Sequence, residues 1–568
     1  FLPIIFLQGL TGRLFREFGI VVAGAIVIST VVSLTLTPML SSRILRKKKR
    51  ESLLFRMTEG FFRGMTNGYN TGVKHFVKAR WLVVPILAIS GYGIFYLGTH
   101  LRSELAPMED KSGFRIMSTA PEGTSYEMMD KYQLELLSIV DTIPEKRAYI
   151  AVTSPGFGST ASANSAFIFF SLVDPSKRIR TQAQIAKMLY GKFNNLPFAR
   201  TFVSQEQTIS VGRTLRGMPV QYVIQSPNFA KLKEAIPKFM DEVNKRPEFS
   251  VTDLDLKFNK PELHIQIDRD RARSLGVTVR DIAETLQLYY SQQRFGYFIR
   301  DGKQYEVIGE APRSDRNDPG DLSDIYVRNN KGELIQMSNL VNQTEQSNPP
   351  TLYRYNRYIS ATVSADLAEG YTIGDGIAAM DAVKAQVLDE SFSSALSGSS
   401  KDFVESSGGL YFAFMLALAL IYLALSAQFE SFLDPLIIMF TVPLALFGAL
   451  LALWIGGHTI NIFSQIGIIV LVGIVTKNGI LIVEFANQRR EAGLDKFAAV
   501  IEAATLRLRP ILMTSMATVL GVLPIALALG SAATSRISMG VAIIGGLLFS
   551  LVLTLFVIPA AYTFFKRK

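Results

Sequence analysis

Long apolar runs near both ends of the chain predict helices that cross a membrane. Seven runs approach the roughly 20 residues that a helix needs to span about 30 Å of hydrocarbon. They cover approximately residues 18–42, 81–99, 409–427, 433–455, 464–486, 510–529 and 539–564. Residues 102–408 lie between the second and third runs and contain no apolar run of that length. We therefore expect one large domain outside the membrane.

Within residues 102–408 the apolar pattern alternates between the strand period of two and the helix period of 3.6. Residues 114–194 read as strand, helix, strand, strand, helix, which predicts a split β-α-β unit. A second unit begins near residue 220 and resumes near residue 358. The interval 262–350 between its halves predicts an inserted module with a hairpin at 294–311. The expected fold is a membrane α-helical bundle plus an α+β domain of repeated ferredoxin-like subdomains with this insertion.

Composition supports a membrane protein and removes several kinds of chemistry. Of 568 residues 49% are hydrophobic and only 19% are charged, and mean hydropathy is +0.25. The chain has no cysteine, which excludes disulfides, thiolate metal sites and cysteine nucleophiles. It also lacks a phosphate-binding Walker loop, a nucleophile elbow and a dinucleotide-binding glycine motif, so we do not expect an enzyme.

The formal net charge of +11 comes from basic clusters that flank the apolar runs. These clusters are residues 43–50, 74–80, 489–496, 507–509 and 566–568. By the positive-inside rule those helix ends are cytoplasmic, and all seven runs can be threaded on that basis with the large domain facing outward. Because the clusters are orientation signals and do not form one patch, we expect no nucleic-acid partner.

The beginning of the chain predicts a continuation from a longer protein. Residues 1–12 lack an initiating Met and resemble the end of a preceding apolar helix, without the basic leader of a signal peptide. Residues 50–78 place large apolar side chains among charges. That pattern predicts an amphipathic helix on the cytoplasmic membrane surface, with a simple linker as the alternative.

Lys477 is the first candidate for chemistry inside the membrane. It lies about eleven residues into the apolar stretch that starts at Ile466, close to the bilayer centre. The alternative is snorkelling, in which the Lys477 side chain extends along the helix to the membrane interface. Both ends of the apolar stretch are too far away for the side chain to reach them comfortably. A buried ammonium needs a carboxylate partner on another helix, and this chain supplies none at that depth. Glu484 is on the same helical face but seven residues away.

A second candidate follows in LRLRPILMTS, which contains Arg507 and Arg509. Pro510 is expected to open a helix there, because the missing N–H costs little at a first turn. Thr514 and Ser515 follow one turn later. The Thr514 hydroxyl either bonds its own backbone or orients a water or proton beside Lys477.

At this point the sequence resembles the resistance-nodulation-cell division superfamily, most closely its hydrophobe/amphiphile multidrug pumps similar to AcrB and MexB. The resemblance lies in TKNGILIVEFANQRREAG, EAATLRLRPILMTSMATVLGVLPIAL, SAQFESFLDPLIIMFTVPLALFGALLAL, LAPMEDKSGF and IQIDRDRARSLGV. It implies the C-terminal half of a twelve-helix pump with the end of its first half. It also implies a homotrimer in the Gram-negative inner membrane, driven by the proton gradient without a cofactor, with a periplasmic adaptor, an outer-membrane channel and membrane lipids as partners.

The resemblance also implies a division of the chain into domains. Residues 1–12 end one transmembrane helix, 13–49 and 79–101 form two more, and 50–78 lie at the cytoplasmic surface. Two periplasmic porter subdomains cover 102–216 and 217–261 with 351–408, a docking subdomain covers 262–350, and five transmembrane helices cover 409–568. The expected function is proton-coupled export of hydrophobic and amphiphilic compounds.

By the same resemblance, Lys477, Arg507 and Thr514 match the proton-relay residues of the family. The paired aspartates of that relay belong to a helix that this chain lacks, which accounts for the missing carboxylates. No metal site is implied.

Substrate contacts are expected in the porter. Gly156, Phe157 and Gly158 match a flexible loop between two drug pockets, whereas Ser159 replaces an aromatic residue of AcrB. Phe167 and Phe169 share one face of a strand, where they line a pocket or belong to the core.

Two alternative functions remain open at this stage. A heavy-metal exporter would need soft ligands, and the outward domain contains only one histidine, His264, and methionines that are scattered in the sequence. The other alternative is a non-transporting scaffold or receptor of the same fold. In such a protein the charge of Lys477 would have no function, although burying it in the membrane costs free energy.

Overall fold

The computed structural model describes residues 5, 9–44, 53–155, 163–205, 208, 218–349, 351–368, 370–529 and 534–565. The chain forms two units. The first consists of Phe1–Thr119, Met129–Asp255 and Arg354–Lys568, and the second of Ala120–Met128 and Leu256–Tyr353. The second unit has an apolar core of its own that includes Ala272, Ile282, Val327 and Met337.

The first part of the chain is helical. Its helices are α1 (Gly9–Leu34), α2 (Leu36–Ile44), α3 (Leu53–Lys78) and α4 (Val83–His100). In α3, Val73 and Val77 are buried while Phe61 is largely exposed, so the helix is amphipathic as its pattern predicts. The Tyr69 hydroxyl of α3 donates a hydrogen bond to the Leu555 carbonyl at 2.6 Å and holds α3 against a later helix.

An antiparallel sheet with two helices follows. Its elements are β1 (Gly113–Thr119), α5 (Tyr126–Asp141), β2 (Lys146–Thr153), β3 (Ser165–Leu172), α6 (Gln182–Phe193) and β4 (Arg200–Gln205). The strand order is β2-β3-β1-β4, and every neighbouring pair is antiparallel. Thr181 caps α6 through a reciprocal capping box with Gln184.

Side chains of β3 alternate between the two faces of this sheet, as the period of two predicts. Ala166, Ile168 and Phe170 are buried, and the ring of Phe170 lies 5.0 Å from that of Phe114. Phe167 is half-buried and Phe169 is 41% exposed on the opposite face. Phe167 and Phe169 therefore lie outside the core that Phe170 helps to form.

The chain then enters a second sheet, leaves it for the second unit and returns. Its elements up to the return are β5 (Val220–Ser226), α7 (Phe229–Asn244), β6 (Phe249–Leu254), β7 (Lys260–Ile267), α8 (Arg269–Ser274), α9 (Val279–Tyr290), β8 (Gln293–Arg300), β9 (Lys303–Gly309), β10 (Tyr326–Arg328), β11 (Leu334–Gln336) and β12 (Val341–Asn348). Within the second unit β7 pairs with β12, β10 with β11 and β8 with β9, the last pair being the predicted hairpin.

The second sheet is completed by β13 (Tyr353–Tyr355), β14 (Tyr358–Leu367), α10 (Ile373–Val387) and β15 (Ser393–Leu396). β14 pairs with β5 and β6, and β15 pairs with the other side of β5. All residues of β5 are buried, which is expected for a central strand that is covered on both faces. That this sheet repeats the first as a second ferredoxin-like subdomain stays a prediction.

The last part of the chain consists of α11 (Gly398–Phe429), α12 (Leu433–Met439), α13 (Thr441–Ile455), α14 (Ile462–Glu491), α15 (Lys496–Ala526) and α16 (Ile537–Phe565). Across the described residues, seven helical segments are long and apolar enough to cross a membrane. They are Phe15–Ile44, Arg80–His100, Gly398–Phe429, Leu433–Ile455, Ile462–Glu491, Lys496–Ala526 and Thr534–Phe565. These segments overlap the seven runs predicted from the sequence.

Two details differ from the sequence prediction. Pro510 does not open a helix but lies inside α15, where Leu508 and Ile511 are buried on either side of it. Tertiary packing of this helix outweighs the hydrogen bond that proline cannot make. Helix α11 starts at Gly398 and runs across the predicted domain boundary at 408, because hydropathy marks only the apolar part of a helix.

Alanine substitutions of Phe170 and Phe169 should distinguish the buried face of the first sheet from its exposed face. Phe170→Ala should lower the free energy of unfolding by about 3–5 kcal/mol, because it leaves a cavity against Phe114. Phe169→Ala should cost about 1 kcal/mol or less. Thermal unfolding of the purified full-length protein in detergent measures both. Equal losses would mean that the two faces of β3 are equally buried.

Candidate functional site

Three side-chain contacts join α14 and α15 along their length. They are an ion pair of Arg489 with Glu502 at 3.1 Å, the Arg507 guanidinium 4.6 Å from the ring centre of Phe485, and a hydrogen bond from Asn478 Nδ2 to Ser515 Oγ at 3.4 Å. Residue numbers fall along α14 as they rise along α15, so the two helices run antiparallel. The register places Lys477 at the level of Thr514 and Ser515.

Local sequence signals position this helix pair. Asn461 caps α14 with its side chain in a reciprocal capping box with Ser464, and the Asp495 carboxylate accepts the N–H of Phe497 at the start of α15. Gly493 in the connection has φ +95°, a left-handed conformation that glycine adopts without steric cost. A tight turn therefore brings α15 back along α14.

Lys477 lies at the middle of the 30-residue helix α14. Its neighbours Thr476 and Asn478 are buried, whereas Lys477 is exposed. The less buried positions of α14 recur every three or four residues and define an open stripe, which comprises Gly473, Lys477, Leu481, Glu484 and Gln488. In this stripe Gln488 donates to Glu484 at 3.0 Å, and no described acidic side chain forms an ion pair with Lys477.

Thr514 is half-buried on α15, and its hydroxyl donates to the Ile511 carbonyl at 3.2 Å. The sequence left two alternatives for this hydroxyl, a bond to its own backbone or an orienting role beside Lys477. The structure shows the bond to the backbone. The oxygen keeps its capacity to accept a second hydrogen bond. Among the described residues no hydrogen bond joins Thr514 to Lys477, although the helix register holds the two at one level.

Arg507 is not beside Lys477 but joins the two helices in the half of the pair that is nearer to the turn between them. Its guanidinium stacks on Phe485, and its buried Nε has no hydrogen-bond partner in the described part of the chain. Such stacking uses the planar, weakly hydrated guanidinium of arginine. The site that the sequence predicted as one relay thus divides into Lys477 with Thr514 at one level and Arg507 about two turns away.

Arg509 makes a contact that sequence reasoning missed. Its guanidinium donates two hydrogen bonds to Glu59 of α3, at 3.1 and 3.2 Å, and lies 5.5 Å from the ring centre of Phe62. Hydrogen bonds from Arg509 and Arg63 hold the pKa of Glu59 below its ordinary value. Helix α15 is therefore tied to the amphipathic helix α3.

A buried polar cluster joins α12, α14 and α16. Asp434 of α12 is 2% exposed and accepts a hydrogen bond from Asn487 of α14 at 3.1 Å. The Tyr562 hydroxyl of α16 donates to Asn487 at 2.7 Å. The sequence gives little indication of this cluster. Asp434 precedes Pro435 at the start of an apolar run, a position that indicates only a helix end.

The candidate substrate contacts lie on the open face of the first sheet. Phe169 is opposite Ile150 of β2, and Phe167 is flanked by Val152 of β2 and Met117 of β1. These side chains form an apolar face that the helices of this sheet do not bury. Gly156, Phe157 and Gly158 lie outside the described residues. In the described part of the chain, no group of three or more His, Asp and Glu residues could hold a metal ion.

Residues 1–566 match the model of the AcrB/AcrD/AcrF family. A similar curated protein is named "Uncharacterized transporter" and comes from Haemophilus influenzae. The two sequences are 30% identical over 570 residues, which cover 99% of this chain and 55% of the relative. The chain thus spans about half the length of the curated relative that it matches.

The contact between α14 and α15 can be tested with two substitutions on one helix. Ser515→Val should lower the free energy of unfolding by about 1–3 kcal/mol, because it leaves the buried amide of Asn478 without its partner. Thr505→Val is the matched control, since among the described residues the Thr505 hydroxyl bonds only to the Ile501 carbonyl of its own helix. Thermal unfolding in detergent gives both values, and equal losses would contradict a specific role of the pair.

Proposed function

The chain belongs to the AcrB/AcrD/AcrF family, and we propose that it forms part of a proton-driven transporter that exports hydrophobic and amphiphilic compounds. The observation that carries this proposal is Lys477, an ammonium at the middle of an apolar 30-residue helix. Leaving such a charge in hydrocarbon is costly, so it has to face a partner or a water-filled path. Its place on the open stripe of α14 leaves room for either.

The proposed partner is a carboxylate on a helix outside this chain. The curated relative is nearly twice as long as the matched region, and the additional length is enough for further membrane helices. The open stripe is the surface of α14 that the other described helices of the chain leave uncovered. Protonation of the carboxylate would break its ion pair with Lys477 and change the packing along that stripe.

Three residues have distinct roles in this proposal. Lys477 is the switching charge, and Thr514 at the same level orients a water or proton through the free lone pair of its hydroxyl. Arg507 acts through packing. Because Arg507 of α15 stacks on Phe485 of α14, a movement of α14 is transmitted to α15. The proton gradient is the energy source in this scheme, and no cofactor takes part.

The assembly is also a proposal. We propose that the sheet-containing region lies in the periplasm of a Gram-negative cell, and the positive-inside rule supports this orientation, because the basic clusters flank the opposite ends of the spanning helices. We propose a homotrimer that works with a periplasmic adaptor and an outer-membrane channel, with 262–350 as the docking subdomain. The two sheets then serve as porter subdomains in which substrate is handled.

Phe169→Ala should weaken export of bulky aromatic compounds more than export of small ones. The loss of ring contact should cost about 1–3 kcal/mol for a ligand that covers Phe169. Ile179→Ala is the control, because Ile179 is a 99% exposed apolar residue of the same region. Susceptibility of cells that carry each full-length variant at equal protein level gives the result. An equal effect of the two substitutions would count against the pocket.

Substitutions of Lys477 test the proton coupling. Lys477→Ala in the full-length protein should abolish export while assembly persists, because little packing is removed. Lys477→Arg should also lower export, because arginine keeps the charge but replaces the compact ammonium with a larger, planar group of different hydrogen-bond geometry. Lys78→Ala, an exposed position at the end of α3, is the control. Proton-driven export in proteoliposomes is the measurement, and normal export by Lys477→Ala would refute the relay.

A further inference from the structure

The segment between α4 and β1 is bonded to the start of α14. This segment, which we call the connector, comprises residues 101–112. Ser103 and Ile460 form a parallel β-bridge, and the Glu104 N–H donates to the Ile460 carbonyl at 3.0 Å. The residue after Ile460 is Asn461, the cap of α14. The first attachment of the connector is therefore the start of that helix.

A second contact attaches the connector to the start of α16. The Glu109 carboxylate accepts a hydrogen bond from the Ser535 hydroxyl at 3.0 Å, and Ser535 lies in the turn directly before α16. Glu109 is 7% exposed and Ser535 is 3% exposed. In the described part of the chain, no Lys, Arg or His forms an ion pair with Glu109. Because a buried carboxylate needs compensation for its lost hydration, the Ser535 hydroxyl holds Glu109 in place.

The starts of α14 and α16 are also joined to each other. Ser538 Oγ donates a hydrogen bond to Asn461 Oδ1 at 3.1 Å, and both side chains are buried. Near the start of α14, Gly467 packs so closely that a methyl group on it would lie 3.0 Å from the Met539 carbonyl oxygen. A displacement of the start of α14 is therefore shared by α16 and reaches Ser535.

Asp110, the next residue of the connector, is bonded to α6 and to the loop after β3. Its carboxylate accepts the N–H of Gln182, the first residue of α6, at 3.1 Å and forms an ion pair with Arg178. The Arg178 side chain is 1% exposed. It also donates to the carbonyls of Val173 at 3.1 Å and Arg180 at 2.8 Å. These bonds fix the guanidinium, which in turn fixes the carboxylate of Asp110.

The two attachments of Glu109 and Asp110 leave little slack between them. Cα atoms of neighbouring residues are only about 3.8 Å apart. Glu109 is held by the turn before α16 and Asp110 by α6. A movement of α16 that keeps both contacts therefore has to move α6 with it. Both acids belong to the segment LAPMEDKSGF, which has no part in the relay of Lys477.

We propose that Glu109 and Asp110 are positioning residues that couple the membrane helices α14 and α16 to the first sheet. The connector transmits a displacement of these helices as a rigid tie. The inference rests on the proposed export function, because coupling has a role only where helix movement drives export. The attachment itself does not depend on that function and can be measured separately.

Two changes sever the tie in different ways. Ser535→Ala removes the donor to Glu109. Ser550→Ala is the matched control, because Ser550 is a buried serine of α16 whose hydroxyl donates to the Leu547 carbonyl of its own helix. Insertion of two glycines between Glu109 and Asp110 leaves both attachments in place but adds slack between them. Glu109→Gln keeps an oxygen that accepts the Ser535 hydroxyl.

Export of ethidium and proton influx are measured in the same proteoliposomes with the full-length protein. Ser535→Ala and the glycine insertion should lower the maximum export rate at least about fivefold, while the ethidium concentration at half-maximal rate changes less than about twofold. Proton influx should persist, because the helices still move but no longer displace the first sheet. Ser550→Ala and Glu109→Gln should export ethidium like the wild type.

Three results would overturn the coupling role. One is normal export by both severed variants, and another is a loss in Ser550→Ala as large as that in Ser535→Ala. The third is proton influx that falls in step with export, because that indicates damage to the relay itself. If the glycine insertion does not fold, the comparison of Ser535→Ala with Ser550→Ala still decides.

Spin-label distances keep the tie and the export function apart. Labels at Lys187→Cys of α6 and Ile455→Cys at the end of α13, both exposed positions, report the distance between the first sheet and the membrane helices. Pulsed electron paramagnetic resonance gives this distance in the purified full-length protein without other cysteines. The glycine insertion should broaden the distance distribution, whereas Ser550→Ala should leave it unchanged.

The two measurements together separate the possible failures. If the wild type exports no ethidium while the glycine insertion broadens the distance distribution, the export function fails and the tie stands. If the wild type exports ethidium and the insertion variant exports it equally well, the coupling role fails and the export function stands. An unchanged distance distribution in the insertion variant would refute the tie itself.

Discussion

Close packing around α14 is the constraint on which the membrane part of this chain depends. A methyl group added at Gly467 would lie 3.0 Å from the Met539 carbonyl oxygen, and one added at Gly479 would lie 3.2 Å from the Ile438 side chain. Backbones approach this closely only where glycine stands, as is common between helices in membranes. Neighbouring helices therefore enclose α14 on most sides. One stripe is left over, and Lys477 is on it.

Much of the architecture could be predicted because it depends on local pattern. The seven apolar segments follow from hydropathy, and the exposure of Phe169 beside buried Phe170 follows from the period of a strand. The prediction at Pro510 was wrong for the opposite reason. A proline after two charged residues is a local signal for a helix start, but contacts of Leu508 and Ile511 with distant residues keep α15 continuous.

The candidate site was predictable only in its residue types. Lys477 stands out in any apolar run, whereas its level relative to Thr514 depends on the register of two helices, which Asn478 and Ser515 reveal. The contact between Asp434 and Asn487 could not have been predicted from the sequence, because the two residues come from helices that meet only in the folded bundle. The sequence shows which residues of this chain are charged, and only the fold shows which partners they contact.

The ion pair of Arg509 with Glu59 has a mechanical consequence. With α3 on the membrane surface, as its pattern predicts, α15 cannot slide along its axis without stretching two hydrogen bonds or pulling α3 through the lipid headgroups. The headgroup layer then acts as an elastic load on the helix that carries Thr514. In the proposed transport cycle, bilayer thickness and lateral tension would act on α14 and α15 in addition to the proton gradient.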